Sequence, residues 1–258
     1  MPRNINDNYF TGNVYALSDI HGCIEIYRQV KAFLQPEDVV FFLGDAGDRG
    51  PHSWECIEAI YNDPQFFYLM GNHEDMLVKA MRGRYDDVNL CRYNGGGPTL
   101  NSWDGLSEEE REEWKHRLAN LPVVAFYNNN NDESIIMSHS GWFDEETYIN
   151  RTPAQVQLVY SPPFWTIENY LWDRMGLYDD VWRYNENEYV VHGHSPIPLS
   201  FEACDTKEEL EAWEPEIMYY CAGHKIDIDC GTHYTGDACL LDLNTWDEHY
   251  FETPERIL

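Results

Sequence analysis

Five times along this chain of 258 residues a short apolar run closes on residues rich in oxygen and imidazole donors. Val14-Tyr15-Ala16-Leu17 leads into Ser18-Asp19-Ile20-His21-Gly22, and Val39-Val40-Phe41-Phe42-Leu43 into Gly44-Asp45-Ala46-Gly47-Asp48-Arg49-Gly50. Phe66-Phe67-Tyr68-Leu69-Met70 leads into Gly71-Asn72-His73-Glu74, Ile135-Ile136-Met137 into Ser138-His139-Ser140-Gly141, and Tyr189-Val190-Val191 into Gly193-His194-Ser195-Pro196. Runs this short, β-branched or aromatic, and bounded by Gly or Asp read as buried strands. In open α/β sheets ligands collect at the carboxyl ends of the strands, so five strand ends can converge on one point although their residues lie far apart in sequence.

The donors that would converge are Asp19, His21, Asp45, Asn72, His139 and His194. They offer carboxylate and amide oxygens and imidazole nitrogens, with no thiolate among them. That chemistry suits two divalent ions such as Mn²⁺, with Fe or Zn²⁺ as alternatives, and points to a two-metal hydrolase.

Between the strings the chain alternates apolar runs with helical periodicity. Helices are expected over 24–34, 53–61, 74–82 and 107–120, the last opened by Ser107 and Glu110 in capping-box spacing. The βαβα order implies a sheet core with helices outside, an α/β (α+β) chain, and the stretch from Val190 onward reads as short strands and turns. Asn128-Asn129-Asn130-Asn131-Asp132 reads as a hairpin turn. A chain of this length commonly forms one domain, here 1–258, and no internal repeat is visible. Residues 151–184, rich in Pro, Trp, Tyr and Asp, are expected to form a partly helical cap insertion over the site.

Composition narrows the partners. With 46 acidic against 17 basic residues the formal charge is −29, which repels nucleic acid and anionic membrane surfaces, so neither is an expected partner. The seven cysteines, Cys23, Cys56, Cys91, Cys204, Cys221, Cys230 and Cys239, are scattered and lack CxxC spacing, as in a cytoplasmic protein with reduced thiols. The first residues are too polar for a secretory signal, and no apolar run is long enough to span a bilayer. The oligomeric state is not written in the sequence.

In order and spacing these strings resemble the calcineurin-like metallophosphoesterases, and within them the bacterial and phage branch of the PPP-type serine/threonine phosphatases. Asn94-Gly95-Gly96-Gly97-Pro98-Thr99-Leu100, Leu171-Trp172-Asp173-Arg174, Ile226-Asp227-Ile228-Asp229-Cys230-Gly231 and Leu240-Leu241-Asp242-Leu243 extend the resemblance nearly end to end. It implies a four-layer αββα sandwich of two mixed β-sheets flanked by helices. It also implies that Asp19 and His21 hold a first metal, Asp45 bridges, and Asn72, His139 and His194 hold a second. A hydroxide shared by the ions would attack phosphorus, Arg49 and Arg174 would grip the phosphoryl oxygens, and His73, backed by Asp48, would act as general acid. Two departures touch no ligand: Gly47 replaces the family's usual Val or Ile, leaving a packing gap, and serines flank His139.

The resemblance implies hydrolysis of phosphomonoesters, on a phosphorylated protein or a small phosphoester, with a serine/threonine protein phosphatase as the expected activity. The alternative is a nucleotide phosphohydrolase similar to the symmetrical dinucleoside tetraphosphatases; an inactive phosphate-binding scaffold is the non-enzyme reading. Asp48 before Arg49 follows the phosphatase branch, and the net charge disfavours a tetraphosphate. The full ligand set argues against a scaffold. His192 lies on the wrong side of Gly193 to be a ligand, Cys23 reads as packing, and the role of His233 stays open.

Overall fold

The computed structural model describes residues 10–141, 155–160, 167–174, 185–200, 204 and 206–254. The first half alternates strand and helix: β1 (Val14–Leu17), α1 (Ile24–Phe33), β2 (Val39–Phe42), α2 (Ser53–Asn62), β3 (Phe66–Tyr68) and α3 (Asn72–Ala80). Three more helices follow, α4 (Tyr85–Tyr93), α5 (Gly97–Asp104) and α6 (Glu108–Ala119). Then come β4 (Val124–Asn128), β5 (Ser134–Ser138), β6 (Val156–Val159), β7 (Glu188–His192), β8 (Met218–Tyr220), β9 (Lys225–Asp227), β10 (Asp237–Asp242) and β11 (Glu248–Glu252).

These strands make two mixed sheets, ordered β11-β10-β1-β2-β3 and β6-β4-β5-β7-β9-β8. In the first, β1, β2 and β3 run parallel and β10 antiparallel to β1; in the second, β5, β7 and β9 run parallel. Alternation along each strand explains the layers. Val14, Ala16, Val39 and Phe41 face the second sheet and pack with Ala125, Tyr127, Ile135, Met137 and Val191. Their neighbours Tyr15, Leu17, Val40 and Phe42 face outward and join Ile26 and Val30 of α1 and Ile57 and Ile60 of α2. Burial on both faces is why these runs are uniformly apolar. The architecture is the helix-flanked pair of mixed sheets that the resemblance implies.

The four expected helices form within two residues of their expected bounds, and Ser107 caps α6 with Glu110 returning to its backbone N–H. The asparagine run turns the β4–β5 hairpin, where Asn129 Oδ1 accepts the N–H groups of Asn131 and Glu133. Helices α4 and α5 were not expected. Only Cys91 of α4 is buried, so it lacks the apolar stripe that announces a helix, and α5 opens on Gly97-Pro98, which reads as a loop.

Of the cap expected over 151–184, residues 156–159 instead extend the second sheet as β6, paired antiparallel to β4, and Ile167–Trp172 form a short helix. The rest of that span lies outside the described residues. The gap expected at Gly47 is absent: a Cβ there would come 2.7 Å from Ile57 Cδ1, so α2 has closed onto the glycine. No disulfide joins any of the seven cysteines, and among the described residues no helix is long and apolar enough to cross a membrane.

Candidate metal centre

The parallel strands β1, β2 and β3 of one sheet and β5 and β7 of the other deliver their following residues to one end of the sandwich. Backbone hydrogen bonds lace the first two loops together: Asp19 N–H to Gly44 O (3.1 Å), His21 N–H to Asp45 O (3.1 Å) and Gly22 N–H to Ala46 O (2.8 Å). To make these turns Asp19, His21, Asp45, Asp48, Arg49 and His194 all adopt positive φ, between 42° and 73°. Left-handed backbone at non-glycine residues is costly and gathers at functional sites.

Two glycines admit the carboxylates. A Cβ on Gly71 would lie 2.2 Å from Asp45 Oδ1, and one on Gly193 would lie 2.1 Å from both Asp19 Oδ2 and Ser18 Oγ. Glu74, buried at the start of α3, fixes the second loop by accepting the N–H groups of Asp45 (2.8 Å), Ala46 (3.0 Å) and Gly71 (2.9 Å), and the Tyr68 hydroxyl (2.7 Å).

The six expected donors come together. Potential ligand atoms of Asp19, Asp45 and His139 lie within 4.8 Å of one another, as do those of His21, Asp45 and His73, so Asp45 belongs to both groups. Asn72 Oδ1 stands 2.7 Å from His139 Nε2 and 3.1 Å from His194 Nδ1. All six residues are buried. His21 Nδ1 pairs with Gly47 O (3.0 Å) and His139 Nδ1 with Leu43 O (2.8 Å), which turns each Nε2 lone pair inward. The His139 lone pair then meets Asn72 Oδ1 and, at 3.5 Å, Asp45 Oδ1. Acceptors converging this closely require a proton or a cation among them.

Ionisation tells the same story. Burial is the leading influence at each group. It raises the Asp19 pKa and lowers that of His21, whereas at His139 the Asp45 carboxylate overcomes it and the pKa rises. At Asp45 the surrounding imidazoles outweigh burial and hold the carboxyl ionised. Buried, charged carboxylates of this kind are stabilised by bound cations. The His and Asp clusters fit a dinuclear metal site.

Beside the donors stands a second group. His73 Nδ1 lies 2.7 Å from Asp48 Oδ2, and Thr99 Oγ1 donates to Asp48 Oδ1 while accepting the Asp48 N–H at 3.1 Å. Burial lowers the His73 pKa, but the Asp45 and Asp48 carboxylates more than compensate and it is raised. Arg49 reaches in between, with Nη1 2.7 Å from His21 Nε2 and Nη2 3.1 Å from His73 Nε2. Arg174 is exposed, and its Nε lies 3.4 Å from His194 Nε2.

A family model for the calcineurin-like phosphoesterases matches residues 12–225. The chain belongs to this family. It is also 24% identical over 236 residues to the asymmetrical bis(5′-nucleosyl)-tetraphosphatase PrpE of Bacillus cereus (strain Q1), covering 85% of this chain and 86% of the relative. A serine/threonine phosphatase of Saccharomyces cerevisiae with similarity to human PP5 shares the fold at a TM-score of 0.55 and 16% identity, over 98% of this chain and 83% of that one. A metallophosphoesterase of Sphaerobacter thermophilus does so at 0.50 and 17%, over 95% and 89%.

Sequence reasoning missed the residues that organise the site. Glu74 and Thr99 lie within strings it singled out, yet nothing local marks Glu74 as the acceptor of four donors or Thr99 as the brace of Asp48. Asp227 and Asp229 are buried near the centre, their carboxyl pKa values raised by burial and by each other or Asp19. His192 is a packed side chain, with Nε2 2.6 Å from the Tyr220 hydroxyl and its ring against Gly141. His233, left open by the sequence, lies against Arg49.

Proposed function

We propose that this metal-dependent phosphoesterase hydrolyses nucleotide polyphosphates of the dinucleoside tetraphosphate kind. The observation that carries the reading is the similarity, along 85% of the chain, to a bis(5′-nucleosyl)-tetraphosphatase. This reverses the order in which the sequence ranks the two substrates. The net charge of −29 is a poor guide to a buried site, because the field a phosphate meets there is set by the nearest groups, here Arg49, Arg174 and the cations.

In this reading Asp19, His21 and Asp45 hold one cation, and Asp45, Asn72, His139 and His194 a second. The cations, when bound, make water a nucleophile at neutral pH and neutralise phosphoryl oxygens. The chain's own groups supply the rest. Arg49 and Arg174 present donors to the equatorial oxygens of the attacked phosphoryl group, gripping harder as charge shifts in the transition state. His73, its pKa raised by the Asp45 and Asp48 carboxylates, gives its Nε2 proton to the leaving oxygen as the P–O bond breaks, and Asp48 stabilises the imidazolium beforehand. Water adds to phosphorus, the leaving nucleotide departs, and the proton water loses restores His73.

The test compares kcat/KM for diadenosine tetraphosphate, phosphoserine and phosphothreonine peptides and p-nitrophenyl phosphate on one Mn²⁺-loaded preparation. The tetraphosphate is expected to exceed the peptides by ten-fold or more, about 1.4 kcal/mol of transition-state stabilisation. Chromatography of the products, ATP with AMP or two ADP, reports which bond is cut. Peptides preferred by ten-fold would overturn the reading.

A further inference from the structure

His233 sits in the one-turn helix Thr232–Thr235, framed by Gly231 and Gly236 at φ of 69° and 88°, and 184 residues from the arginine it touches. Arg49 Nη1 is 3.2 Å from its Nδ1 and 3.2 Å from its Nε2. A hydrogen bond to one lone pair would favour one nitrogen. Equal distances to both place Nη1 over the face of the ring rather than on either lone pair. The Tyr234 ring lies 3.6 Å from that of His233, centre to centre, and His21 meets His233 edge-on at 5.0 Å. His233 is buried.

Among the described residues, the other hydrogen-bond contacts of the Arg49 guanidinium are to imidazoles with other work. Nη1 donates to His21 Nε2, and Nη2 to His73 Nε2. A neutral imidazole has one lone pair. When His21 gives its lone pair to a cation, and when His73 carries the proton it is to donate, neither can accept from Arg49. The π-face of His233 is used by neither event and still attracts a guanidinium.

From this geometry we propose that His233 is a positioning residue, an aromatic rest that holds the Arg49 fork beside the site once His21 and His73 are committed. The proposal rests on the reading of Arg49 as a phosphate clamp and extends it to a residue whose role the sequence leaves open. His233 acts through Arg49 and need not touch substrate.

The test is inorganic phosphate binding to the Mn²⁺-loaded protein, followed by calorimetry, which reads the clamp without turnover. His233→Leu fills the space without an aromatic face and is expected to weaken phosphate about five-fold with the manganese content unchanged, the size of a lost cation–π contact. His233→Phe keeps the face and is expected to bind within two-fold of the parent. In an Arg49→Ala background, itself weakened, His233→Leu is expected to add nothing, because the residue it positions is gone. Should His233→Leu fail to fold, His233→Ala takes its place in the same cycle. Unchanged phosphate affinity in a folded His233→Leu protein would overturn the proposal, as would an equal loss in the Arg49→Ala background or a His233→Phe protein as weak as His233→Leu. If Arg49→Ala alone left phosphate binding intact, the clamp reading of Arg49 would fall first, and the proposal with it.

Discussion

Replacing Asp48 by Asn isolates the proton that His73 is proposed to deliver. The hydrogen bond from His73 Nδ1 to Asp48 Oδ2 is 2.7 Å long and both side chains are buried. Thr99 donates its hydroxyl proton to Asp48 Oδ1, so in the variant that position keeps the amide oxygen and the NH₂ group turns toward His73. A carboxylate that stabilises the imidazolium is thereby exchanged for a donor that opposes it. At an effective dielectric of about 20, unit charges about 4 Å apart attract by ~4 kcal/mol, an upper bound for the loss. Opposite charges at this range commonly shift a pKa by about 1–3 units. The His73 pKa, raised in the parent, therefore falls, and the protonated fraction at neutral pH falls with it. The expected loss in kcat/KM is ~10–10³-fold for an alkyl phosphate and smaller for p-nitrophenyl phosphate, whose leaving group needs little protonation. In a pH profile the alkaline limb should move toward lower pH by about 1–3 units. An alkaline limb that stays in place, with equal losses on aryl and alkyl substrates, would refute the role of His73 as acid.

Three further outcomes follow from the same geometry. Asp45→Asn removes the charge common to both donor groups and should lower the metal content, by elemental analysis, below two equivalents and nearly abolish turnover. Gly193→Ala drives a methyl into Asp19 and Ser18, and thermal denaturation should show a loss of ~1–3 kcal/mol together with weaker metal binding. Chelation should lower Tm, since each independent site at a free ion concentration 100 times its Kd contributes about 2.7 kcal/mol; a Tm indifferent to chelator would count against a buried cation site.

Much of this was legible in the sequence because each donor follows directly on a buried strand. Asp19, Asp45, Asn72, His139 and His194 need only that their strands share a direction, which apolar runs and intervening helices already imply. What escaped is what depends on contacts across the chain. Glu74 earns its place by reaching four donors, and no local pattern marks that. Helix α4 carries its one buried side chain, Cys91, without a stripe, and β6 is a partly buried edge strand inside a stretch whose Pro and Trp content reads as irregular. The role of His233 stays open in the sequence because the arginine it touches lies 184 residues away. Net charge is a weak guide to the substrate for a physical reason: it is a long-range, screened quantity, whereas the metal-ligand side chains are buried and local.

Anomalous diffraction from crystals grown with Mn²⁺ tests whether two cations share Asp45. Two peaks are expected, both within coordination distance of Asp45, one also beside Asp19 and His21 and the other beside Asn72, His139 and His194. A single peak, or a pair of which only one approaches Asp45, would contradict it.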